Sequence, residues 1–487
     1  MNKGLYWYST LAAVGAVSIG YDFGAVSSAM MVQPFIDRFL YVDSTYRSSL
    51  LVSLMLLTAT LGGLFSGDVC DKISRKYTIL LGAALFAIGC LLETIGYNFG
   101  MMLAGRLFVG FGEGFLTNAI PLYHTEISPP AIRGRLITTF SVAAGIGVII
   151  GYFVTFGTNY LVNDWSWRAP FLIHLGFCLI VLTTVWLPFS PRWLIDKGRT
   201  KEARQVLAQL YQCSSLDDPI VEEEYNVIVS ELEHERSFGN RTYMELFKGT
   251  NCRRTLYALF VGNGAAFTGT TAITYYSPLI MKQAGLNDTG VSLVASGASN
   301  IVSLVASIFT LIYIDHIGRK LALSSGAFLM AASMFICGGL FQGYHTIMDD
   351  EGTLGLSNTN ARNTVIAMVF IFQFAYYYSF GPIGYIYPAE ILNQRTRSKG
   401  LSLAYGLNWA ISIFMTFVMP IFMNNTIYGG YYFFGGTCTI LLIGTLVMLP
   451  ETKGRSLEEI DGLFNSKVGF VSDKLDNPSF DDNKLAV

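Results

Sequence analysis

The sequence "DKISRK" at residues 71–76 returns as "DHIGRK" at residues 315–320, in each case directly after a long apolar run. A second charged motif also recurs, because "EISPPAIRG" at 126–134 and "EILNQRTRS" at 390–398 each place an arginine seven residues after a glutamate. Two independent motifs that return in the same order indicate that the chain contains two related halves. Internal repeats of apolar segments are typical of membrane transporters.

The composition supports a membrane protein. Of the 487 residues, 52% are hydrophobic and only 14% are charged, and the mean hydropathy is +0.45. Soluble domains carry about 25% charged residues, so this chain has too little charge to cover a water-soluble particle of its size. Apolar runs close to the roughly 20 residues that cross a bilayer begin near residues 5, 48, 77, 100, 135, 169, 254, 290, 321, 363, 399 and 428. The first run lacks a small-residue cleavage pattern, so we predict no removable signal peptide.

These patterns predict an all-α membrane protein of twelve transmembrane helices in two pseudo-symmetric six-helix bundles. The segment "TKEARQVLAQLYQ" at 200–212 has apolar positions at helical spacing among charges, which predicts a small cytoplasmic helical domain between the bundles. The predicted units are an N-terminal bundle (1–190), a cytoplasmic helical linker domain (191–252), a C-terminal bundle (253–450), and a cytoplasmic helix with a disordered tail (451–487).

Basic residues predict the orientation in the membrane. The short loops after the second, fourth, eighth and tenth predicted spans contain Lys72, Arg75, Lys76, Arg133, Arg135, Arg319, Lys320, Arg395, Arg397 and Lys399. About half as many basic residues lie on the other side, so the positive-inside rule places these loops and both termini in the cytoplasm. We expect a plasma-membrane protein because no organelle signal is present, with the bilayer and a small-molecule substrate as partners, no nucleic acid, and a monomeric state.

The sequence predicts neither an enzyme nor a cofactor site. The seven cysteines are scattered through the predicted spans without a CxxC or histidine pairing, which indicates neither a disulfide framework nor a metal site. No nucleophile motif or phosphate-binding loop is present.

Six motifs resemble the sugar porter family of the major facilitator superfamily, of the fungal sugar-transporter type. They are "GYD" (20–22), "GRLFVGFGEG" (105–114), "YHTEISPPAIRG" (123–134), "PFSPRWL" (188–194), "GPIGYIYPAE" (381–390) and "PETKGRSLEEI" (450–460). The resemblance implies the major facilitator fold and a secondary transporter that moves a sugar or sugar-like polyol, with the two halves exposing a central site to one side at a time.

Two charged residues inside predicted spans are candidates for proton coupling. An unpaired charge at the bilayer centre costs about 2.5–3.5 kcal/mol, so Asp22 and Arg106 require partners. The resemblance implies that they form a pair in which Asp22 accepts the proton and Arg106 tunes it; the alternative is a permanent structural pair in a facilitative carrier. Glu113, seven residues after Arg106, is either a second protonatable site, another partner of Arg106, or an acid satisfied by neighbouring hydroxyls. Three other polar residues are predicted to be structural: Glu93, His124 and His174.

The charged motifs also predict a gate. Opposite charges lie at the cytoplasmic ends of both halves, where salt bridges would hold the transporter closed on that side: Asp71, Arg75, Glu126, Arg133, Asp315, Arg319, Glu390 and Arg397. The alternative is that these loops only set the orientation of the chain in the membrane.

The substrate site is predicted around "NGAAFTGTTAITYYSP" at 263–278, which matches a discontinuous seventh helix of the family. On a continuous helix Thr268, Thr271 and Tyr275 share one hydroxyl-bearing face. The predicted substrate-binding residues are Ser141, Thr268, Thr271, Tyr275, Tyr276, Tyr385, Asn408 and Trp409.

Several of these positions depart from the family pattern. Ala265, Ala266 and Ser141 stand where the family usually has glutamine, and Tyr385 stands where it usually has tryptophan, whereas Asn408 and Trp409 match. Lost hydrogen bonds of this kind cost about 0.5–1.5 kcal/mol each. The alternatives are therefore a facilitative carrier of a non-hexose solute and a nutrient sensor that does not transport.

Overall fold

The computed structural model describes residues 3–40, 44–129, 132–161, 163–213, 215–216, 218–236, 242–286, 289–347, 354–356 and 358–453. The α-helices in chain order are α1 (Lys3–Ala29), α2 (Gln33–Phe35), α3 (Ser44–Ile73), α4 (Arg75–Thr94), α5 (Phe99–Ile127), α6 (Arg133–Thr158), α7 (Trp165–Val181), α8 (Pro191–Asp196), α9 (Thr200–Tyr211), α10 (Pro219–Arg236), α11 (Gly249–Phe267), α12 (Thr270–Tyr275), α13 (Ser277–Gln283), α14 (Thr289–Ile317), α15 (Arg319–Tyr344), α16 (Thr359–Tyr378), α17 (Phe380–Ile391), α18 (Arg397–Asn425) and α19 (Ile427–Met448).

Shorter elements complete the described part of the chain. A π-helical turn spans Ile36–Leu40, and 3-10 turns span Leu182–Trp186, Tyr243–Phe247 and Gln394–Thr396. Two antiparallel strands, β1 (His345–Ile347) and β2 (Leu354–Leu356), pair with His345 opposite Leu356. This short strand pair is a difference from the all-α prediction, and it joins α15 to α16 at one end of the bundle.

The predicted spans coincide with helices. Eleven helical segments among the described residues are long and apolar enough to cross a membrane, which makes the chain a multi-pass membrane protein. The seventh predicted span is the exception, because the chain from residue 249 to residue 283 is divided into α11, α12 and α13. The total of twelve therefore stays a prediction.

The repeated "DKISRK" and "DHIGRK" motifs adopt matching backbone conformations. Ser74 has φ 90° and ψ 158°, and Gly318 at the equivalent position has φ 91° and ψ 151°. Each residue lies between two long helices, α3 and α4 in the first half and α14 and α15 in the second. Glycine adopts a positive φ without strain, whereas serine does not. The duplication inferred from the sequence is thus repeated in the backbone.

Glycines allow the helices of the first half to approach closely. Gly20 and Gly24 on α1 face Gly147 and Gly151 on α6, each pair being spaced by four residues. A Cβ at Gly20 would lie 1.9 Å from the carbonyl oxygen of Ala144. Small residues at this spacing are the usual means of close helix packing in membranes, where hydrophobic burial adds little.

The segment between the halves is helical, as predicted. The 3-10 turn Tyr243–Phe247 is attached to the C-terminal half because Arg395 donates two hydrogen bonds to Glu245, Nε to Oε2 at 2.8 Å and NH2 to Oε1 at 2.9 Å. These hydrogen bonds hold the pKa of the Glu245 carboxyl below its ordinary value. The limits of the four predicted units remain predictions, and most of the last unit lies outside the described residues.

Candidate functional site

A buried charge cluster occupies the N-terminal half. Arg106 on α5 donates from NH1 to Asp22 Oδ2 and from NH2 to Asp22 Oδ1, both at 2.9 Å, so the pair is bidentate. Arg106 also donates from Nε to Glu93 Oε1 at 2.6 Å. Asp22 and Glu93 are fully buried and Arg106 is 2% exposed. The structure therefore brings together the two residues predicted as a pair, and adds a second carboxylate that was predicted to be only structural.

The guanidinium geometry explains how one cation holds two acids. Arginine offers N–H groups on adjacent edges of a planar fork. Asp22 takes the edge formed by the two terminal nitrogens, and Glu93 takes the edge that includes Nε. With both acids ionised, the three groups together carry one negative charge.

Glu113 lies on the same helix as Arg106 but makes no hydrogen bond to it. Its side chain is fully buried, and neither carboxylate oxygen has a hydrogen-bond partner among the described residues. It interacts electrostatically with both Asp22 and Arg106. None of the described hydroxyl groups satisfies this acid, and its role as a second protonatable site or as an electrostatic partner of Arg106 stays a prediction.

A cavity lies between the two halves. Its volume is about 110 Å³, and none of the described residues that line it carries a charge. One group of lining residues offers hydroxyl or amide groups: Thr117, Ser141, Thr270, Thr271, Thr274 and Asn408. A second group is aromatic: Phe23, Phe140, Tyr376, Tyr377, Tyr385 and Trp409. Aromatic walls with a few placed polar groups are typical of sites for small organic molecules.

Five of the eight predicted binding residues line this cavity: Ser141, Thr271, Tyr385, Asn408 and Trp409. Thr268 does not, because it is fully buried and its hydroxyl bonds to the Ala265 carbonyl at 2.7 Å. Tyr275 packs on Phe23 at a ring distance of 4.9 Å with 2% of its surface exposed, and Tyr276 is 6% exposed. These tyrosines lie outside the cavity lining.

The prediction for Thr268 and Tyr275 differs from the structure because the seventh helix is interrupted. Gly269 has φ 80°, in the left-handed region, and separates α11 from α12. The helical phase after this residue is not continuous with the phase before it, so a face drawn through Thr268 and Tyr275 is not a real surface. The cavity-facing hydroxyls of α12 are instead Thr270, Thr271 and Thr274.

Sequence reasoning missed Thr270 and Thr274 on α12, and Thr117 and the aromatic pair Tyr376 and Tyr377 on other helices. The run of three tyrosines at 376–378, followed by Ser379 and Gly381, marks an interrupted span and was the signal available. Ala265 and Ala266, where the family usually has glutamines, are not among the cavity residues.

The predicted gate charges pair within each half. Arg75 NH2 lies 2.7 Å from Glu126 Oε1 and 3.2 Å from Asp71 Oδ1, and Arg319 NH2 lies 2.8 Å from Glu390 Oε1. Arg397 is buried, and the side chains of Arg133 and Asp315 lie outside the described part of the structure. We call the end of the bundle that contains the Arg75–Glu126 and Arg319–Glu390 pairs the charged end.

Contacts across the two halves at the charged end involve one predicted gate residue, Asp71, and residues outside the predicted gate. Lys399 Nζ lies 2.8 Å from Asp68 Oδ1, and Ser398 Oγ donates to Asp71 Oδ2 at 2.8 Å. The backbones also approach closely there, because a Cβ at Gly63 would lie 3.1 Å from Gly406 Cα. Asp68 was absent from the predicted gate.

The halves also meet at the opposite end. Ser27 Oγ on α1 donates to the carbonyl oxygen of Tyr275 at 2.7 Å, and the hydroxyl of Tyr152 on α6 donates to the carbonyl oxygen of Thr274 at 2.8 Å. Both acceptors lie on α12. Contacts between the halves therefore lie at both ends of the bundle, with the cavity between them.

Two of the buried cysteines lie close together beside a histidine. Cys90 on α4 and Cys178 on α7 bring their sulfurs to 3.7 Å, and a ring nitrogen of His174 lies within 4.8 Å of both. The sequence did not reveal this cluster, because Cys90 lies on a different helix from His174 and Cys178.

A membrane protein of two helical halves around an uncharged polar cavity, with a buried ion pair in one half, has the construction of a major facilitator transporter. The structure bears this out by its likeness to the proton:xylose symporter XylE bound to 6-bromo-6-deoxy-D-glucose, with a TM-score of 0.82 and 21% identity over 95% of this chain and all of that one. The likeness to inward-open XylE from E. coli has a lower TM-score of 0.72.

Sequence comparison defines the family. The family described as "Sugar (and other) transporter" matches residues 8–464, and the chain belongs to it. The high-affinity glucose transporter of Kluyveromyces lactis is 28% identical over 94% of this chain and 85% of that protein. A probable quinate permease of Aspergillus niger is 29% identical over 96% and 89%, and the sugar transport protein MST7 of Oryza sativa subsp. japonica is 26% identical over 93% and 90%. These relatives are transporters or permeases.

Proposed function

We propose that this protein moves a neutral, hydroxyl-rich solute, a monosaccharide or a polyol, across the membrane by alternating access, coupled to protons. The observation that carries the proposal is the cavity between the halves, which presents hydroxyl, amide and aromatic side chains and no charged side chain among the described lining residues.

The uncharged lining favours a neutral solute over a carboxylate such as quinate. An anion transferred into a site without a cationic partner loses its hydration with little compensation. Sugar hydroxyls find donors and acceptors in Ser141, Thr271 and Asn408, and aromatic rings such as Trp409 cover the apolar faces of a sugar ring. A second candidate, a facilitative carrier of a non-hexose solute, is favoured by the absence of the glutamines that the family usually supplies.

The contacts at both ends of the cavity support alternating access. Lys399–Asp68 at the charged end and Ser27–Tyr275 at the opposite end each join one half to the other. Opening the cavity to one side requires only the contacts on that side to separate. The charged end is proposed to face the cytoplasm together with both termini, on the strength of its basic loops, in a monomeric plasma-membrane protein.

Proton coupling is proposed for the Asp22–Arg106 pair. Protonation of Asp22 removes one of the two negative charges that hold Arg106, while Glu93 keeps the guanidinium neutralised in the bundle interior. A proton is therefore taken up without leaving Arg106 as an unpaired buried charge, which is the costly state. Glu113, which has no hydrogen-bond partner among the described residues, is proposed as a second proton-carrying acid.

The test is uptake of labelled hexoses, pentoses, polyols and quinate into proteoliposomes, with and without an inward proton gradient. We expect accumulation of a neutral sugar or polyol only with the gradient, and competition by related neutral solutes. Uptake of quinate alone would contradict the assignment of a neutral substrate. Binding of a sugar without any uptake would instead support a nutrient sensor.

A further inference from the structure

The cluster of Cys90, Cys178 and His174 lies apart from the cavity and from the gate. Cys90 belongs to α4, while His174 and Cys178 lie four residues apart on α7, and all three side chains are fully buried. None of them takes part in the cavity lining or in the Arg106 hydrogen bonds. The cluster has no role in the function proposed above.

The distance between the two sulfurs fits a tetrahedral metal site. Zinc–sulfur bonds of about 2.3 Å at the tetrahedral angle place two thiolate sulfurs about 3.8 Å apart. The observed separation is 3.7 Å. The two sulfurs therefore already have the spacing that a thiophilic cation requires, without movement of α4 relative to α7.

His174 supplies the third donor atom. Its Nε2 lies 3.0 Å from the carbonyl oxygen of Ser18, and a carbonyl can only accept, so Nε2 carries the hydrogen. In the neutral ring Nδ1 is then an unprotonated donor atom for a metal, and it has no hydrogen-bond partner among the described residues. A metal-binding histidine commonly donates its other N–H to a carbonyl in this way. The ring is held in place by Tyr21 and Phe86, at ring distances of 4.9 and 5.1 Å.

We propose that Cys90, Cys178 and His174 bind one thiophilic divalent cation of the zinc type, which links α4 to α7. On binding, the two thiols lose two protons to solvent and form two metal–sulfur bonds, while the neutral imidazole adds a metal–nitrogen bond. The divalent cation and two thiolates together are neutral, so the bound site adds no net charge to the membrane interior. Soft thiolate ligands select zinc-like ions over magnesium or calcium.

The position of the site gives it a consequence for transport. His174 Nδ1 lies 3.8 Å from Asp22 Oδ1, so a bound cation is a near neighbour of the proposed proton acceptor. The cation fixes α4, which carries Glu93, against α7 beside Asp22, and we expect it to inhibit gradient-driven uptake. This consequence rests on the proposed proton coupling, whereas binding of the metal does not.

The binding test uses the purified full chain in lipid nanodiscs, with Cd²⁺ as the probe and the ultraviolet thiolate-to-cadmium absorption band as the signal. We expect one Cd²⁺ per chain and loss of the band in Cys90→Ser and in Cys178→Ser. His174→Gln should weaken binding at least tenfold. Cys337→Ser is the matched control, because it removes a fully buried cysteine from the other half and should leave the band unchanged. A wild-type chain without the band, or a band that survives in the Cys90→Ser, Cys178→Ser double variant, overturns the site.

A second measurement requires no variant. Cd²⁺ should slow alkylation of Cys90 and Cys178 by a membrane-permeant maleimide, as mapped by mass spectrometry, and leave Cys337 unaffected. If Cd²⁺ leaves the alkylation rates of Cys90 and Cys178 unchanged, as it should that of Cys337, the result would contradict the proposal. Inhibition of uptake is measured separately, so a site that binds Cd²⁺ without affecting uptake counts against the coupling consequence and leaves the site itself standing.

Discussion

At the residue scale, the decisive feature is one arginine shared by two carboxylates. Arg106 retains Glu93 when Asp22 is neutralised, so the buried cation keeps a partner through a protonation cycle. This arrangement separates the proton coupling proposed for Asp22 from the structural need to balance Arg106.

We predict that Asp22→Asn abolishes accumulation of substrate against a gradient but retains exchange of substrate between the two sides of the membrane. Asparagine matches the size of the protonated acid and cannot release a proton. The proton bound at this position then no longer drives accumulation, whereas the conformational change that exchange requires is retained. Counterflow and gradient-driven uptake in proteoliposomes measure the two activities.

The control for this experiment is Asp164→Asn, which removes an acid that pairs with Arg38 and Arg168 outside the buried cluster. It should leave both activities in place. Wild-type uptake that is independent of pH and insensitive to an uncoupler would show that the Asp22–Arg106 pair is structural.

The sequence predicted Asp22 and Arg106 because each is a charge within an apolar run and so requires a partner. It could not predict that Glu93 bonds to Arg106, or that Cys90 meets Cys178, because these contacts join different helices. Helix rotation and tilt decide such contacts, and both are set by packing among neighbours.

At the element scale, two features of single turns have measurable consequences. Ser74 directly precedes α4 and has φ 90°, at the position where the second half has Gly318 with φ 91°. A non-glycine residue in such a region stores about 1–3 kcal/mol of strain.

We predict that Ser74→Gly raises the free energy of unfolding by about 1 kcal/mol, since relief of the backbone strain at φ 90° outweighs the loss of a long 3.4 Å hydrogen bond from Tyr77 N to Ser74 Oγ. The reciprocal change, Gly318→Ser, should lower stability, because its Cβ would lie 2.8 Å from Glu451 Oε2. Thermal unfolding of the purified protein in detergent compares the two. A loss of stability in Ser74→Gly would show that the turn is not strained.

The interruption at Gly269 separates two threonines that share a face only on an uninterrupted helix. We predict that Thr271→Val, which removes a hydroxyl from the cavity, raises the KM for substrate by about 2- to 10-fold, corresponding to about 0.5–1.5 kcal/mol. Thr268→Val should instead lower stability and leave the KM unchanged, because its hydroxyl bonds to Ala265 and Thr270.

Initial-rate uptake and thermal unfolding of both variants test this division. A raised KM in Thr268→Val with an unchanged KM in Thr271→Val would reverse the assignment. The resemblance implied a discontinuous helix here, but periodicity alone assigns a face only within an unbroken helix, which is why Thr270 and Thr274 escaped the sequence analysis.

At the scale of the whole molecule, the arginine–carboxylate pairs of the repeated motifs stay within each half at the charged end, and a different ion pair joins the halves. Arg75 and Arg319 each pair inside their own half, while Lys399 and Asp68 pair across. The duplication was enough to predict two bundles, because each half repeats the same order of motifs. It could not predict contacts across the halves, since a duplicated motif says nothing about which residues oppose each other.

We predict that Lys399→Met shifts the resting population toward the form that is open at the charged end. A partly exposed pair contributes about 0–1 kcal/mol, so the shift is at most about fivefold. The measurement is the rate at which a charged thiol reagent modifies a cysteine introduced at the cavity residue Thr117, compared with the chain that lacks this cysteine.

Lys282→Met, which removes an exposed lysine on α13, serves as the control and should leave the rate unchanged. Asp68→Asn should reproduce the effect of Lys399→Met, and combining the two should add little, because both remove the same contact. An unchanged rate in both single variants would show that this pair does not hold the charged end closed.

The uncharged lining of the cavity has an electrical consequence. If the proposed neutral solute moves together with a proton, the proton is the only charge that crosses, and each turnover would be electrogenic. A membrane potential of 100 mV then adds about 2.3 kcal/mol per proton, which corresponds to roughly fifty-fold further accumulation of the solute. We therefore expect substrate addition to produce an inward current in protein-containing membranes, one that a solute carrying a single negative charge, moved with one proton, would not produce.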